Sequence, residues 1–242
     1  MMNIQAVVFD KDGTLLDFNA FWIAVSAAAL EEMLVRLHRE DIPLNELLAS
    51  IGVYDGKADA DALLCHGTYA QMGEAIYAVL REKGVTLSPE EVVSMTAEVY
   101  TQKAVLGEVK PTCRSLREVL EKLKSKGLRL LLVTTDNAEI TQMCLEKLGV
   151  RELFDRVITD DGKTPTKPNP QCIREYSKES GIPVESMVMV GDTMTDVRFA
   201  RNAGMRVIGV GASREVEKKA DAFRPDVSHL WEALEGIGEN AR

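Results

Sequence analysis

A chain of 242 residues with 45% apolar and 28% charged side chains has the make-up of an ordinary globular protein, sized for one large domain or one domain with a sizeable insertion. A formal net charge of −9 excludes an electrostatic nucleic-acid footprint, although local cations can still hold a phosphorylated ligand. No run approaches the roughly twenty apolar residues that span a bilayer, no basic region precedes an apolar leader, and Cys65, Cys113, Cys144 and Cys172 are scattered without CxxC spacing, so a cytoplasmic protein with free thiols, off the membrane, is expected.

The chain opens on an apolar run, Ile4 to Phe9, that reads as a buried parallel strand and stops at Asp10-Lys11-Asp12-Gly13-Thr14. Two carboxylates one residue apart repel by roughly 4 kcal/mol at 4 Å and an effective dielectric near 20. Such a pair calls for a cation or a shared proton between the groups. From Phe18 to about Arg39, the residues Phe18, Trp22, Val25, Ala29, Met33 and Leu37 recur at helical spacing and predict a core stripe. Further helices are predicted over 43–51, 69–83 and 89–106, the last announced by Ser88-Pro89-Glu90-Glu91 as N-cap, N1 proline and acidic first turn. Between them, Gly52 to Lys57 is polar and glycine-punctuated, and 18–107 reads as all-helical.

After Pro111 short apolar runs alternate with glycine-terminated helices. Helices are predicted over 112–126, 137–148, 169–180, 194–203 and around 228–235, with strands over 128–135, 156–159, 187–190, 206–210 and, more weakly, near 222–227. This alternation predicts an α/β fold, a doubly wound parallel sheet covered on both faces. An all-α helical domain over 17–107 interrupts a core of 1–16 and 108–242, with hinges near 15–18 and 107–111.

In such sheets ligands sit beyond the carboxyl ends of the strands. Those ends read Asp10-Lys11-Asp12-Gly13-Thr14, Thr134-Thr135-Asp136-Asn137, then Thr159-Asp160-Asp161 leading to Lys167-Pro168, and Gly191-Asp192-Thr193-Met194-Thr195-Asp196. Asp10, Asp192 and Asp196 are hard oxygen donors suited to Mg²⁺, which keeps waters and takes a substrate phosphate oxygen. Thr134 and the backbone N–H groups near Gly13 and Thr135 are donors for phosphate oxygens, and Lys167 brings a point charge to the same anion. Asp160 and Asp161 read as solvated loop residues.

These four stretches, in this order, resemble the four motifs of the haloacid-dehalogenase-like (HAD) hydrolase superfamily. The helical insertion between the first two resembles its small α-helical cap. In organisation the chain is similar to the phosphoglycolate-phosphatase-like and β-phosphoglucomutase-like members. The resemblance implies that Asp10 is the nucleophile that forms an aspartyl-phosphate, and that Asp12 is the acid and base, its backbone carbonyl being a Mg²⁺ ligand. It further implies that Thr134 and Lys167 hold the transferring phosphoryl group, and that Asp192 and Asp196 complete the metal site. An intact Asp12 sets the chain apart from the dehalogenase branch and from phosphonoacetaldehyde hydrolases. Caps of this type carry a specificity loop, which makes Tyr54, Asp55 and Lys57 candidates to meet the leaving group. The arginine-containing pattern common there is absent, and the second hinge reads Pro111-Thr112 rather than Pro-Gly. The expected function is a Mg²⁺-dependent phosphatase acting on a small phosphorylated metabolite, as a monomer or homodimer. The alternatives are a phosphosugar mutase and a non-catalytic binding protein on the same fold.

Overall fold

The computed structural model describes residues 4–58 and 62–239. The chain divides into two compact units, Met1–Asp17 with Lys110–Arg242, and Phe18–Val109. In chain order, β1 (Ala6–Phe9) is followed by the inserted elements α1 (Phe18–Arg36), α2 (Leu44–Ser50), β2 (Val53–Tyr54), β3 (Lys57–Ala58), α3 (Leu63–His66), α4 (Tyr69–Glu82) and α5 (Pro89–Lys103). The first unit then resumes with α6 (Leu116–Ser125), β4 (Arg129–Asn137), α7 (Ala138–Lys147), β5 (Arg156–Asp160), α8 (Gln171–Ser180) and β6 (Met187–Gly191). It closes with α9 (Met194–Ala203), β7 (Arg206–Val210), α10 (Arg214–Lys219), β8 (Ala222–Arg224) and α11 (Leu230–Glu239).

Among the described residues the first unit forms a six-stranded parallel sheet in the order β5-β4-β1-β6-β7-β8. The α/β expectation is met. Successive side chains of a strand point to opposite faces, and both faces of β1 are buried. Val7 and Phe9 join Leu130, Leu132, Val188 and Val190 under α6 and α11. Ala6 and Val8 join Leu131, Val133, Met187 and Met189 under α8 and α9. That double burial is why the strand reads as an unbroken apolar run. Register then places the chemistry: Phe9 lies opposite both Leu132 and Val190, so β1, β4 and β6 run out at the same edge. From β1 the chain winds outward one way through β4 and β5 and the other way through β6 to β8, which puts the switch point at β1 itself.

Some local expectations shift. Helix α6 starts at Leu116 rather than 112, because Pro111 bridges Leu16 and Thr112 is tied to the first loop by N–H to Leu15 O (3.0 Å) and Oγ1 to Thr14 O (2.7 Å). Strand β4 runs on to Asn137, and its pairing with β5 shifts register between Val133 and Asn137, across the Thr134–Asp136 stretch. Helix α10 escapes the periodicity reading because only Val216 of its six residues is buried.

The insertion is not wholly helical. Val53 pairs with Ala58 and Tyr54 with Lys57 in a small antiparallel hairpin, closed by Asp55 (φ 48°) and Gly56 (φ 70°). Two positive φ values at the tip are what an Asp-Gly hairpin turn requires. Helix α1, with 19 residues and a mean hydropathy of 1.4, is long and apolar enough to cross a membrane by length and composition, contrary to the expectation that no run comes close. Its apolar stripe is used otherwise: Phe21, Trp22, Val25, Ala29 and Met33 are buried, and Trp22 and Tyr100 of α5 lie with ring centroids 6.3 Å apart. It is the core helix of its unit, as the Trp22–Met33 stripe predicts. Capping boxes at Thr68 and Ser88 set the starts of α4 and α5.

Candidate active site

The loop after β1 turns back on itself within six residues. Leu15 and Leu16 both donate their N–H to Lys11 O (2.8 and 3.0 Å), and Gly13 N–H donates to Leu16 O (2.7 Å). Gly13 has φ +78°, and a Cβ there would run into the Asp192 carboxylate. A side chain at Gly191 would likewise collide with Asp196. Glycine at both places lets the backbone close to contact with a carboxylate, from the neighbouring loop at Gly13 and from the start of α9 at Gly191.

Three carboxylates meet in this space. Asp10, Asp192 and Asp196 each offer an oxygen, all within 4.8 Å of one another. Thr14 Oγ1 donates to Asp192 Oδ1 (3.0 Å). Asp196 Oδ2 accepts from the N–H (3.1 Å) and hydroxyl (2.7 Å) of Thr193 in the capping box that starts α9. Its other oxygen accepts from Lys167 Nζ (2.7 Å), which also reaches Asp10 Oδ1 (2.5 Å). Asp196 therefore does two jobs, helix cap and member of the acidic group.

Among the described residues the group sets three carboxylates against one ammonium, a deficit of two positive charges. An all-oxygen donor set with that deficit fits a hard divalent cation, with room in its shell for water or a phosphate oxygen.

Beside it lies a second charged group that the motif reading did not anticipate. Lys11 has no exposed surface, and its Nζ lies 2.8 Å from both oxygens of Asp12 and 3.0 Å from Asp136 Oδ2. Asp136 Oδ1 accepts from Asn137 N–H (2.8 Å), and Asp136 N–H donates to Thr134 Oγ1 (3.2 Å). Burial alone would lower the Lys11 ammonium, but Asp12 and Asp136 outweigh it and hold it above the usual lysine range. The available signal was a lysine set between two aspartates just beyond an apolar strand, where burial calls for a counter-charge.

Thr134 is buried in the second half of β4, and a cavity of about 180 Å³ opens beside it and Lys167, lined also by Ile158, Thr159 and Tyr176. Asp161 Oδ1 accepts from the N–H groups of Lys163 (2.9 Å) and Thr164 (2.7 Å), shaping the solvated loop that leads to Lys167. Tyr54 and Lys57 sit on the β2–β3 hairpin of the other unit. There the Tyr54 hydroxyl donates to Ala49 O (3.3 Å), and a hollow of about 190 Å³ is lined by Asn45, Leu48 and Asp55.

The profile of a family described as haloacid dehalogenase-like hydrolase matches residues 4–204. The chain belongs to the haloacid dehalogenase-like hydrolases. This hydrolase is 29% identical over 245 residues to a phosphoglycolate phosphatase of Neisseria meningitidis, covering 97% of this chain and 94% of the relative. It is also 29% identical over 227 residues to pyrophosphatase PpaX of Bacillus velezensis, covering 92% and 90%. Its fold matches that of a predicted phosphoglycolate phosphatase from Haemophilus somnus with TM-score 0.72, at 20% identity and 97% and 99% coverage.

The charge crowding in this hydrolase has a pH signature. Burial raises the Asp10 carboxyl to about 7, opposed by Lys167 and reinforced by Asp196 and Asp12. Burial also lifts Asp192 well above the usual carboxylate range, with the Asp10 and Asp196 charges adding to it. The folded protein thus holds protons here more tightly than the unfolded chain, whose aspartates titrate near ~4. Without metal, folding stability should rise as the pH falls from above about 7 towards ~4, by up to about 1.4 kcal/mol per pH unit for each such proton. A bound divalent cation favours the ionised carboxylates, so it should stabilise more near pH ~8 than near ~5. Thermal melts with Mg²⁺ and with EDTA at both pH values check this; equal metal-induced shifts would contradict it.

Proposed function

We propose that this hydrolase is a Mg²⁺-dependent phosphatase that cleaves small phosphomonoesters through an aspartyl-phosphate on Asp10. The observation that carries the reading is the buried Asp10–Lys167–Asp196 contact with Asp192 beside it: a carboxylate held next to an ammonium and two further oxygen ligands. The curated relatives, a phosphoglycolate phosphatase and a pyrophosphatase, support phosphate chemistry on a small molecule. The protein is read as cytoplasmic.

In the first step an Asp10 oxygen attacks phosphorus in line, the bond to the leaving oxygen breaks, and Asp12 gives that oxygen its proton. In the second, Asp12, now a carboxylate, takes a proton from water, the water oxygen attacks phosphorus, and the bond to Asp10 breaks to release inorganic phosphate. Thr134, whose oxygen is fixed by Asp136 N–H, donates its hydroxyl proton to a phosphoryl oxygen. Lys167 and the N–H groups at Thr135 and beside Gly13, whose own N–H is taken by Leu16 O, take the others. Asp10, Asp192, Asp196 and the Asp12 carbonyl would hold Mg²⁺, which supplies charge neutralisation for the dianion.

The domain reading takes 17–107 as a cap inserted into the core of 1–16 and 108–242, with the hinge at the bridge between Leu16 and Pro111 and the Asp17 N–H to Lys110 O bond (2.8 Å). Tyr54 and Lys57, on the hairpin of the inserted unit, remain the candidate specificity residues. A panel of small phosphomonoesters and inorganic pyrophosphate, assayed for phosphate release with Mg²⁺ and with EDTA, tests the proposal. Metal-dependent release from at least one monoester is expected, falling about 100-fold or more without Mg²⁺. No release from any member overturns it, and conversion of a sugar phosphate without release would make the protein a mutase.

A further inference from the structure

We infer that Lys11, braced by Asp136, is a positioning residue that aims the Asp12 carboxyl. The inference rests on the phosphatase reading of Asp12. Its own ground is the geometry of the second charged group.

The two aspartates of the first loop are handled by different lysines. Asp10 belongs to Lys167, and Asp12 to Lys11. A buried ammonium needs a counter-charge, and a single contact would have provided it. Instead both Asp12 oxygens lie 2.8 Å from Nζ, a two-point grip that restricts rotation of the carboxyl about its own axis. The far side of the ammonium is anchored as well. Asp136 Oδ2 forms an ion pair with Nζ at 3.0 Å while Oδ1 accepts the Asn137 N–H, and Asn137 is the N-cap of α7, its side chain accepting from Ile140 N–H (2.9 Å). The direction of Asp12 is therefore referred, through Lys11 and Asp136, to a helix start rather than to a mobile loop.

The same Asp136 ties its own N–H to Thr134 Oγ1. One frame thus orients the proton-transfer group from the β1 loop and the phosphoryl-holding hydroxyl from β4, which are far apart in sequence and must agree in position during both steps. Because Lys11 pairs with two carboxylates, its anchorage to Asp136 survives the step in which Asp12 holds the proton. A lysine present only to neutralise the acidic loop would need neither the two-point grip nor the link to Thr134.

A leaving-group comparison separates an effect on proton transfer from a merely structural one. The p-nitrophenolate group departs without a proton, whereas an alkoxide needs one. Turnover of p-nitrophenyl phosphate and of an alkyl phosphomonoester from the panel is measured for the unaltered protein and for Lys11→Met, Lys11→Arg, Asp136→Asn and Asp12→Asn. For Lys11→Met, kcat on the alkyl ester should fall about 100-fold or more and on the aryl ester less than about 10-fold, with KM little changed. Lys11→Arg should recover part of the alkyl-ester rate, and Asp136→Asn should show the same selective loss at smaller size. If Lys11→Met does not fold, the selective loss in Asp136→Asn carries the test. Equal losses on both esters, or no loss, in the variants at 11 and 136 overturn the inference. When Asp12→Asn alone shows the selective loss, only this inference falls. When Asp12→Asn shows none, the assignment of Asp12 in the phosphatase reading falls with it.

Discussion

Replacing Asp10 by asparagine should abolish turnover, by at least about three orders of magnitude in kcat, while leaving the fold intact. An amide presents no carboxylate oxygen to phosphorus, so no aspartyl-phosphate forms. The structural consequence has the opposite sign. The carboxylate removed is one that burial and its neighbours already push towards the protonated state, and Lys167 keeps Asp196 as a partner. The melting temperature of Asp10→Asn without metal should match or exceed that of the unaltered protein. Phosphate release and a thermal melt on the same preparation check both halves, and near-normal turnover would remove Asp10 from the role of nucleophile.

Lys167→Met should lose activity to a similar degree and stability as well. The methionine fills the volume of the stem, but Asp10, Asp192 and Asp196 are left crowded with no ammonium among them. Breaking a buried ion pair from one side costs about 3–5 kcal/mol. Burial alone would lower the ammonium of Lys167, and Asp10 and Asp196 outweigh it and hold it above the usual lysine range, a sign of how strongly the carboxylates depend on it. The two substitutions thus share a sign in activity and differ in sign in stability. A divalent cation should restore part of the lost melting temperature in Lys167→Met, because it supplies the missing positive charge to the same oxygens. A variant as stable as the parent in EDTA would show that the three carboxylates do not repel as their spacing implies.

The legible part of this chain was its periodicity and its strand ends. β1 reads as apolar because both faces are covered, and the apolar runs beside it stop where a carboxylate or hydroxyl begins, so Asp10, Thr134 and Asp192 stand out as the polar residues just beyond each apolar run. Lys11 and Asp136 were hidden for the converse reason. Each sits inside a motif read for its neighbours, and their pairing joins β1 to β4, a contact that no local pattern encodes. The β2–β3 hairpin carried a local signal in Asp55-Gly56, but its strands are two residues long, too short for alternation to register. Helix α1 is legible as a core stripe, but its length and composition also pass for a span: alanines raise its mean hydropathy without adding bulk, and packing distinguishes a unit's core from a span.

The sheet order bears on when the acidic cluster comes into being. Val8 sits between Leu131 and Met189, so the first strand to be synthesised is flanked by two that arrive much later, with the whole insertion made in between. Closing such distant pairings is slow compared with the local contacts of a helical segment. Until β6 docks, Asp192 and Asp196 are remote from Asp10 and their mutual repulsion is unfelt. The electrostatic strain of the site is therefore deferred to the final assembly of the sheet, when the apolar faces of β1 close and hold the charges together.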